Sequence, residues 1–255
     1  MTISIGSLTL STPLILGTGG ARRLSDIEAA IEASGVNVAT VAVRRFQPGA
    51  SSLYEVLLAH DVTPLPNTAG AHAASEAVML AELAREALEV PWVKLEVVID
   101  DTTLLPDPIE LVRATEQLVQ RGFEVFAYTN DDPATARLVE QAGAVAVMPL
   151  ASPIGSGMGI QNRHNLVAIV EAATVPVIVD AGIGAPSDAA LSLELGADAV
   201  LVASAIMRAA DPARMARAMA LAVEAGALAR AAGRIPARPL AVASSPVEGM
   251  PNLAL

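Results

Sequence analysis

The chain has 255 residues, of which 53% are hydrophobic and only 2% aromatic, and its formal net charge is −11. This charge, without a visible basic stripe, excludes nucleic-acid binding as the main function, because such proteins neutralise phosphates with Lys and Arg. The chain has no cysteine, which excludes disulfides, thiolate nucleophiles and cysteine-based metal sites.

The N-terminal segment has neither a basic start nor a long apolar run. No uncharged apolar run reaches the roughly 18 residues of a membrane span. We therefore predict no signal peptide and no membrane segment, and a cytoplasmic location.

Eight short aliphatic runs alternate with helical patterns along the chain. The predicted strands are Leu14–Leu16, Val36–Val43, Thr63–Pro66, Trp92–Val98, Glu124–Tyr128, Ala144–Leu150, Val175–Asp180 and Ala199–Ala203. Runs of this kind are typical of parallel strands that are buried on both faces.

Helical patterns and capping residues separate these strands. The predicted helices include Ser75–Leu88, Pro108–Gln120, Pro133–Gln141, Ser187–Leu195 and a final helix over Ala213–Ala232. Asp107, Asp132 and Asp211 each precede a proline, which predicts an N-cap followed by proline at the first helical position. Ser187 is predicted to cap the helix that follows the seventh strand.

Eight strand–helix units in about 250 residues predict a single α/β domain, a (β/α)8 TIM barrel of eight parallel strands over residues 1–234. The alternative is an open Rossmann-like sheet. It is disfavoured because no glycine-rich turn with dinucleotide-binding spacing follows the first strand. Residues 235–255 contain several prolines and are predicted to form an extended C-terminal tail or lid.

The only lysine of the chain, Lys94, lies in the middle of the predicted strand Trp92–Val98. Strand alternation places Lys94 and Glu96 inside the barrel and the intervening aliphatic residues towards the helices. A buried ionisable pair is costly, and a buried amine can act as a nucleophile, so the pattern favours catalysis. The alternative is a purely structural Lys94–Glu96 ion pair. The sequence leaves open whether desolvation or Glu96 determines the pKa of the lysine.

Polar and glycine-rich segments follow the sixth, seventh and eighth strands. Asp180 ends the seventh strand and is a candidate catalytic acid, because barrel active sites form at the carboxyl ends of strands. Its alternative role is structural, as a turn-forming aspartate that is hydrogen-bonded to nearby backbone amides. The loop Gly155–Gly159, the pair Gly182 and Gly184, and the segment Ala203–Ser204 together predict an anion-binding site.

The three histidines, His60, His72 and His164, are dispersed without metal-ligand spacing, so no metal site is predicted. Only His72, near the end of the third strand, is placed where it could face the pocket. Arg44 and Arg45 end the second strand and could bind phosphate or pair with Asp or Glu side chains between subunits.

The motifs that can be compared with known families are Leu16–Gly20 (LGTGG), Leu65–Gly70 (LPNTAG), Trp92–Val97 (WVKLEV), Tyr128–Pro133 (YTNDDP), Met148–Gly159, Val179–Gly184 and Leu195–Leu201. In combination, over roughly residues 3–246, the sequence resembles bacterial thiazole synthase, the thiazole-forming enzyme of thiamine biosynthesis. The resemblance implies that Lys94 forms an imine (Schiff base) with 1-deoxy-D-xylulose 5-phosphate. It also implies that Glu96 and Asp180 are the acid–base carboxylates. The residues that it assigns to the sugar phosphate are Gly155, Ala181, Gly182, Ala203 and Ser204.

The resemblance further implies a sulfur-incorporating transferase and its partners. Sulfur comes from the thiocarboxylated C-terminus of a small sulfur-carrier protein, and dehydroglycine comes from a separate enzyme. The product is a thiazole phosphate carboxylate, and no metal or organic cofactor is bound. The family implies a homo-oligomer, often a homotetramer. Ala203 stands where the family often has asparagine, so one polar contact to the phosphate would be missing.

Two other functions remain open at this point. One is a different lysine-imine barrel, such as a deoxyribose-phosphate-type aldolase. The other is a catalytically silent barrel that only docks the sulfur carrier, which the combination of Lys94, Glu96 and Asp180 disfavours.

Overall fold

The computed structural model describes residues 2–45 and 52–244. The strands in these ranges are β1 Ile3–Ile5, β2 Leu8–Leu10, β3 Leu14–Leu16, β4 Val38–Ala42, β5 Thr63–Asn67, β6 Trp92–Leu95, β7 Glu124–Thr129, β8 Ala146–Pro149, β9 Ile178–Val179 and β10 Ala199–Val202. The α-helices are α1 Leu24–Ser34, α2 Leu53–Ala59, α3 Ala74–Leu88, α4 Pro108–Gln120, α5 Pro133–Gln141, α6 Arg163–Ala172, α7 Pro186–Glu194, α8 Ser204–Met207 and α9 Pro212–Ala232.

Strands β3 to β10 form one parallel sheet in the order β8-β7-β6-β5-β4-β3-β10-β9. Parallel bridges from Val147 to Val177 and from Leu150 to Asp180 join its two ends. The backbone N–H of Asp180 also donates to the carbonyl of Pro149 at 2.9 Å. The sheet therefore closes on itself, and the predicted eight-stranded α/β barrel is confirmed.

The helix caps follow the sequence prediction with one exception. Asp107, Asp132 and Asp211 accept backbone N–H groups at the starts of α4, α5 and α9. The prediction that Ser187 caps α7 is wrong, because α7 begins one residue earlier, at Pro186. The carboxylate of Asp188, in the first turn of α7, accepts hydrogen bonds from the N–H groups of Gly184 and Ala185 at 3.0 and 2.9 Å. A residue within the helix therefore satisfies the backbone groups that precede it.

Two apolar clusters lie on opposite faces of the barrel strands. The outer cluster packs the strand residues Val93 and Leu95 with residues of the surrounding helices, such as Leu111 and Leu118. The inner cluster receives side chains from the barrel strands and from the N-terminal segment. Its buried members are Ile5, Leu8, Leu10, Ile15, Val38, Leu65, Phe126, Ala146, Met148, Ile178, Ala199 and Leu201. The core of the barrel interior is thus mainly aliphatic, with Phe126 as the aromatic residue among these buried members.

The antiparallel hairpin β1–β2 closes the lower end of this interior. Its strands are joined by the two-residue turn Gly6–Ser7, with Gly6 at a φ of +56°. Ile5 and Leu10 are fully buried in the inner cluster, whereas Thr9 points to solvent. The hairpin was not predicted from the sequence. It gives the barrel an apolar floor, so that the polar groups of the interior are confined to the opposite end.

Leu10→Ala is expected to lower the free energy of unfolding by about 3 kcal/mol, because it removes buried methyl groups and leaves a cavity in this floor. Urea denaturation followed by circular dichroism measures the change. The matched control is Thr9→Ala on the same hairpin, for which we expect a change of about 0.5 kcal/mol or less. Equal stability of Leu10→Ala and the parent protein would show that the hairpin does not seal the core.

The predicted C-terminal tail or lid, residues 235–255, is only partly within the described residues. Residues 235–244 contain no helix or strand and their side chains are exposed, while residues 245–255 lie outside the described ranges. The role as a lid stays a prediction. No helix in the described part of the chain is both long and apolar enough to span a membrane.

Candidate active site

Lys94 lies at the centre of β6 and points into the barrel above the apolar floor. Its neighbours Val93 and Leu95 point outward to the helices, so the predicted alternation is confirmed. The lysine side chain is only 4% exposed. A charged group at this depth requires compensation from opposite charges.

Two carboxylates provide that compensation. Asp180 Oδ2 lies 2.8 Å from Lys94 Nζ, and Glu96 Oε1 is in direct contact with the same nitrogen. Both carboxylates are buried. Glu96 follows Lys94 by two residues and therefore shares its face, whereas Asp180 comes from the end of β9. Asp180 also accepts the N–H of Ala181 through Oδ1 at 2.7 Å, which is the turn bond considered as its alternative role.

Asn67 and Thr68, at the end of β5, hold Glu96 in place. Asn67 Nδ2 donates to Glu96 Oε1 at 2.9 Å. The hydroxyl of Thr68 accepts the backbone N–H of Glu96 and donates to its carbonyl, both at 2.8 Å. Neither residue was predicted from the sequence to have a role in the site. One sequence feature could have identified them: they form a polar pair at the carboxyl end of β5, the strand that precedes the strand of Lys94.

The electrostatic balance of the cluster favours a protonated lysine. Burial disfavours the ammonium form, but Asp180 and Glu96 outweigh it and raise the pKa of Lys94 above its ordinary value. Burial, followed by the charge of Glu96, raises the pKa of Asp180 although Lys94 opposes the shift. The question left open by the sequence is thus answered in favour of the carboxylates. The raised pKa of Lys94 favours its ammonium form, and the raised pKa of Asp180 makes this side chain a stronger proton acceptor than an ordinary aspartate.

Tyr128 on β7 lies beside this cluster, with its ring centroid 5.0 Å from Lys94 Nζ. The ring face stabilises the ammonium ion by a cation–π contact. The phenol is fully buried, and its hydroxyl has no hydrogen-bond partner among the described residues. Burial raises the pKa of Tyr128, so the hydroxyl remains protonated.

Tyr128→Phe is expected to raise the free energy of unfolding by about 1 kcal/mol, because it removes a buried polar group without a partner. The ring beneath Lys94 is kept, so the reactivity of the lysine should be kept as well. Urea denaturation measures the first effect, and imine trapping at Lys94 measures the second. A less stable or unreactive variant would mean that the hydroxyl has a bonding partner in the working protein.

The loops after β8 and β9 interlock beside the charged cluster. The N–H of Gly159 donates to the carbonyl of Gly182 at 2.8 Å. Gly182 has a φ of +73°, and a Cβ there would collide with the backbone and hydroxyl of Ser152. Gly155 has a φ of +75°, and Ala181 has the left-handed φ of +58° without being glycine. Glycine takes this left-handed conformation without the steric cost of a Cβ, and a turn of this kind can present backbone N–H groups to an anion.

All eight residues singled out from the sequence line a single cavity of about 810 Å³ at the carboxyl ends of the strands. They are Lys94, Glu96, Asp180, Gly155, Ala181, Gly182, Ala203 and Ser204. The ammonium ion and the two carboxylates form its buried base, and the glycine loops and the start of α8 form one wall. The volume is in the range of small-molecule sites. The arrangement can bind a small anionic carbonyl compound beside an amine and two proton carriers.

Other polar residues considered from the sequence lie at or near the rim. Arg44 lines the cavity and is paired with Glu76. His72 does not line the cavity. Its Nδ1 lies 3.1 Å from the carbonyl of Val98, and its Nε2 lies 3.3 Å from Asp101. Within residues 2–45 and 52–244, no group of three or more His, Asp or Glu side chains could hold a metal ion.

Comparison with solved structures finds similarity to a related protein and to more distant barrels. A chain of the BexX/CysO complex from Amycolatopsis orientalis is 30% identical with a TM-score of 0.83, and the match covers 93% of this chain and 98% of that chain. Thiamine phosphate pyrophosphorylase from Pyrococcus furiosus is 17% identical with a TM-score of 0.57, and the match covers 84% and 96%. A native KDPGal structure is 17% identical with a TM-score of 0.59, covering 86% and 97%. The last two share only the fold.

Comparison with protein families gives a match along nearly the whole chain. The matching family is described as thiazole biosynthesis protein ThiG, and its model matches residues 4–246. The matched region contains the whole barrel and all eight residues of the cavity described above. This chain belongs to the ThiG family of thiazole biosynthesis proteins.

Proposed function

We propose that the protein is a thiazole synthase that acts on 1-deoxy-D-xylulose 5-phosphate through an imine at Lys94. The proposal is carried by one observation: Lys94 Nζ lies at the base of the cavity, 2.8 Å from Asp180 and in contact with Glu96. Membership of the ThiG family supports the choice of thiazole formation among lysine-imine reactions. The remaining substrates are dehydroglycine and sulfur from a thiocarboxylated carrier protein.

Imine formation begins with a proton transfer inside the cluster. Asp180 takes a proton from the Lys94 ammonium ion, which frees the nitrogen lone pair for attack on the ketone carbon C2. The resulting carbinolamine loses its hydroxyl as water, and Asp180 returns the proton to that leaving oxygen. In sum, the ketone and the ammonium ion give a protonated imine and one water molecule.

The imine then allows the carbonyl group to move along the sugar. Its positive nitrogen makes the proton on C3 acidic, so Glu96 or Asp180 can remove it. Protonation at C2 leaves the lysine nitrogen on C2 and a carbonyl at C3. Later steps lose water and need an acid, a task that the same two carboxylates can perform. Asn67 donates a hydrogen bond to Glu96 Oε1 and so fixes the position of this carboxylate beside Lys94.

The sulfur donor must reach this cavity from outside the barrel. The related BexX structure is a complex with a second protein, CysO, which supports docking of a partner protein on this chain. The mouth of the cavity lies at the carboxyl ends of the strands, where a protein tail can enter. A homo-oligomer, a separate dehydroglycine-supplying enzyme and the absence of a resident metal or organic cofactor remain part of the proposal.

Borohydride trapping tests the covalent step directly. The protein is incubated with 1-deoxy-D-xylulose 5-phosphate or with 2-deoxyribose 5-phosphate, reduced with borohydride and analysed by intact mass and peptide mapping. Because Lys94 is the only lysine, a side-chain adduct can form at no other residue. The proposal expects an adduct with the deoxyxylulose phosphate that maps to Lys94.

Two results would contradict the proposal. Preferential trapping of 2-deoxyribose 5-phosphate with cleavage of that sugar would indicate an aldolase instead. Thiazole formation without any trapped adduct at Lys94 would remove the imine from the reaction. A complete assay with the thiocarboxylated carrier and dehydroglycine then measures whether a thiazole phosphate carboxylate is formed.

A further inference from the structure

The side chain of Arg208 lies over the glycine-lined wall of the cavity. Arg208 follows α8, directly after the last barrel strand, and lines the cavity. A methyl group built on Gly155 would lie 3.5 Å from Arg208 Nη1 and 3.7 Å from Ser204 Oγ. One built on Gly20 would lie 3.4 Å from Arg208 Nε. The guanidinium therefore bridges the loops that follow the first and sixth barrel strands.

Arg208 also differs from most cations of the cavity in its charge pairing. Lys94 is paired with Asp180 and Glu96, and the arginines at 23 and 44 are paired with acidic side chains. Within the described residues, Arg208 has no carboxylate partner. Arg22 also lines the cavity and has no carboxylate partner in the described part of the chain. The guanidinium near Gly155, however, is that of Arg208. Its full charge is thus available to a ligand in a protein whose net charge is −11.

The adjoining atoms suit an anion with several oxygen atoms. Gly155 leaves its backbone exposed in the cavity wall, and Gly182 lines the same wall although it packs against Ser152 on its other side. Ser204 adds a hydroxyl to this wall. Ala203, between β10 and α8, carries no polar side chain. A guanidinium can donate two parallel hydrogen bonds to a phosphate, and such bonds are stronger than those between neutral groups.

We propose that Arg208 recognises the phosphate group of the substrate and selects phosphorylated over unphosphorylated ketoses. The inference rests on the proposed function, because it adds Arg208 to the wall of Gly155, Gly182 and Ser204 to which the family resemblance already assigns the sugar phosphate. The carbonyl end then extends towards Lys94 at the base. Arg208 neither forms the imine nor moves a proton, so its contribution is to binding and specificity.

Two measurements on the full chain test this role. Inorganic phosphate is titrated into the parent protein, Arg208→Gln and Arg217→Gln by calorimetry. Arg217 is an exposed arginine of α9 outside the cavity lining, so its variant controls for the loss of one charge. Arg208→Gln is expected to bind phosphate about 10- to 100-fold more weakly, the range for losing hydrogen bonds to a charged group. Arg217→Gln is expected to bind as the parent does.

The second measurement compares trapping of 1-deoxy-D-xylulose 5-phosphate with that of unphosphorylated 1-deoxy-D-xylulose. In Arg208→Gln, the half-saturating concentration should rise about tenfold or more for the phosphate ester and stay unchanged for the free sugar. Parent-like phosphate binding by Arg208→Gln, an equal loss in Arg217→Gln, or no phosphate binding by the parent would each overturn the inference. Phosphate binding that depends on Arg208, without any ketose adduct in the parent, would support phosphate recognition by Arg208 and refute both the ketose specificity and the proposed function.

Discussion

Lys94→Ala is expected to abolish the borohydride-trapped adduct and to lower the rate of thiazole formation at least about 1000-fold. Loss of the nucleophile removes the covalent route altogether, and no second lysine can replace it. The measurements are intact mass after borohydride reduction and product formation in the complete assay. Residual thiazole synthesis at a parent-like rate would exclude the imine mechanism.

The same substitution has a structural consequence that must be separated from the catalytic one. Without the ammonium ion, Glu96 and Asp180 would remain buried beside each other with like charges, at a cost of about 3–5 kcal/mol if both stayed ionised. Lys94→Ala is therefore expected to be less stable, and the pKa of at least one carboxylate should rise.

Lys94→Arg separates the two effects. A guanidinium keeps the positive charge between the two carboxylates, but it remains protonated and cannot attack a carbonyl. This variant should fold with an unfolding midpoint closer to that of the parent and should still give no adduct. A folded Lys94→Arg protein that forms thiazole would contradict the assignment of Lys94 even if the alanine variant failed to fold.

Strand periodicity was sufficient to predict much of the site. The alternation in β6 placed Lys94 and Glu96 on the inner face, and the barrel rule placed Asp180 at the same end of the sheet. These predictions depend only on local sequence and on the parallel order of strands. The resemblance to thiazole synthase added the residues that are predicted to bind the phosphate, and these residues line the same cavity.

Contacts between residues that are far apart in the sequence could not be predicted from local patterns. The bonds of Asn67 and Thr68 to Glu96 join residues almost 30 positions apart and require the register between β5 and β6. The bridging position of Arg208 depends on how three loops fold together. The charge state of Lys94 depends on distances to Asp180 and Glu96 that no sequence pattern contains.

The N-terminal hairpin is a different case, because its sequence carried a local signal. Ile3–Ile5 and Leu8–Leu10 alternate around a Gly–Ser pair, which is a pattern for a two-residue hairpin. Its strands are only three residues long, so the signal is weak by itself. The function of the hairpin as the floor of the barrel follows only from the tertiary structure.

Asp180→Asn is expected to slow imine formation about 100- to 1000-fold and to stabilise the protein at the same time. The loss of rate follows from removing the proton acceptor that lies 2.8 Å from Lys94 Nζ. The gain in stability, about 1 kcal/mol, is on the scale of single stabilising substitutions. It follows because a neutral amide replaces a buried carboxylate, while Glu96 still compensates the charge of Lys94.

The sign of the pH dependence follows from the raised pKa of Asp180. The folded protein binds this proton more tightly than the unfolded chain, so ionised Asp180 lowers stability. The penalty is absent below the ordinary pKa of 3.8, grows as the pH rises and is complete above the raised pKa. The stability advantage of Asp180→Asn should therefore be larger at about pH 8 than at about pH 5.

Urea unfolding at intervals between about pH 5 and pH 8 measures this advantage, and Glu116→Gln provides the control. Glu116 is an exposed carboxylate of α4, so the same change of charge there should give little effect at either pH. If Asp180→Asn were less stable than the parent at both pH values, Asp180 would be mainly a structural partner of Lys94. A variant that is more stable but slow would instead mean that the protein retains an unfavourable buried charge because the proton transfer at Lys94 requires it.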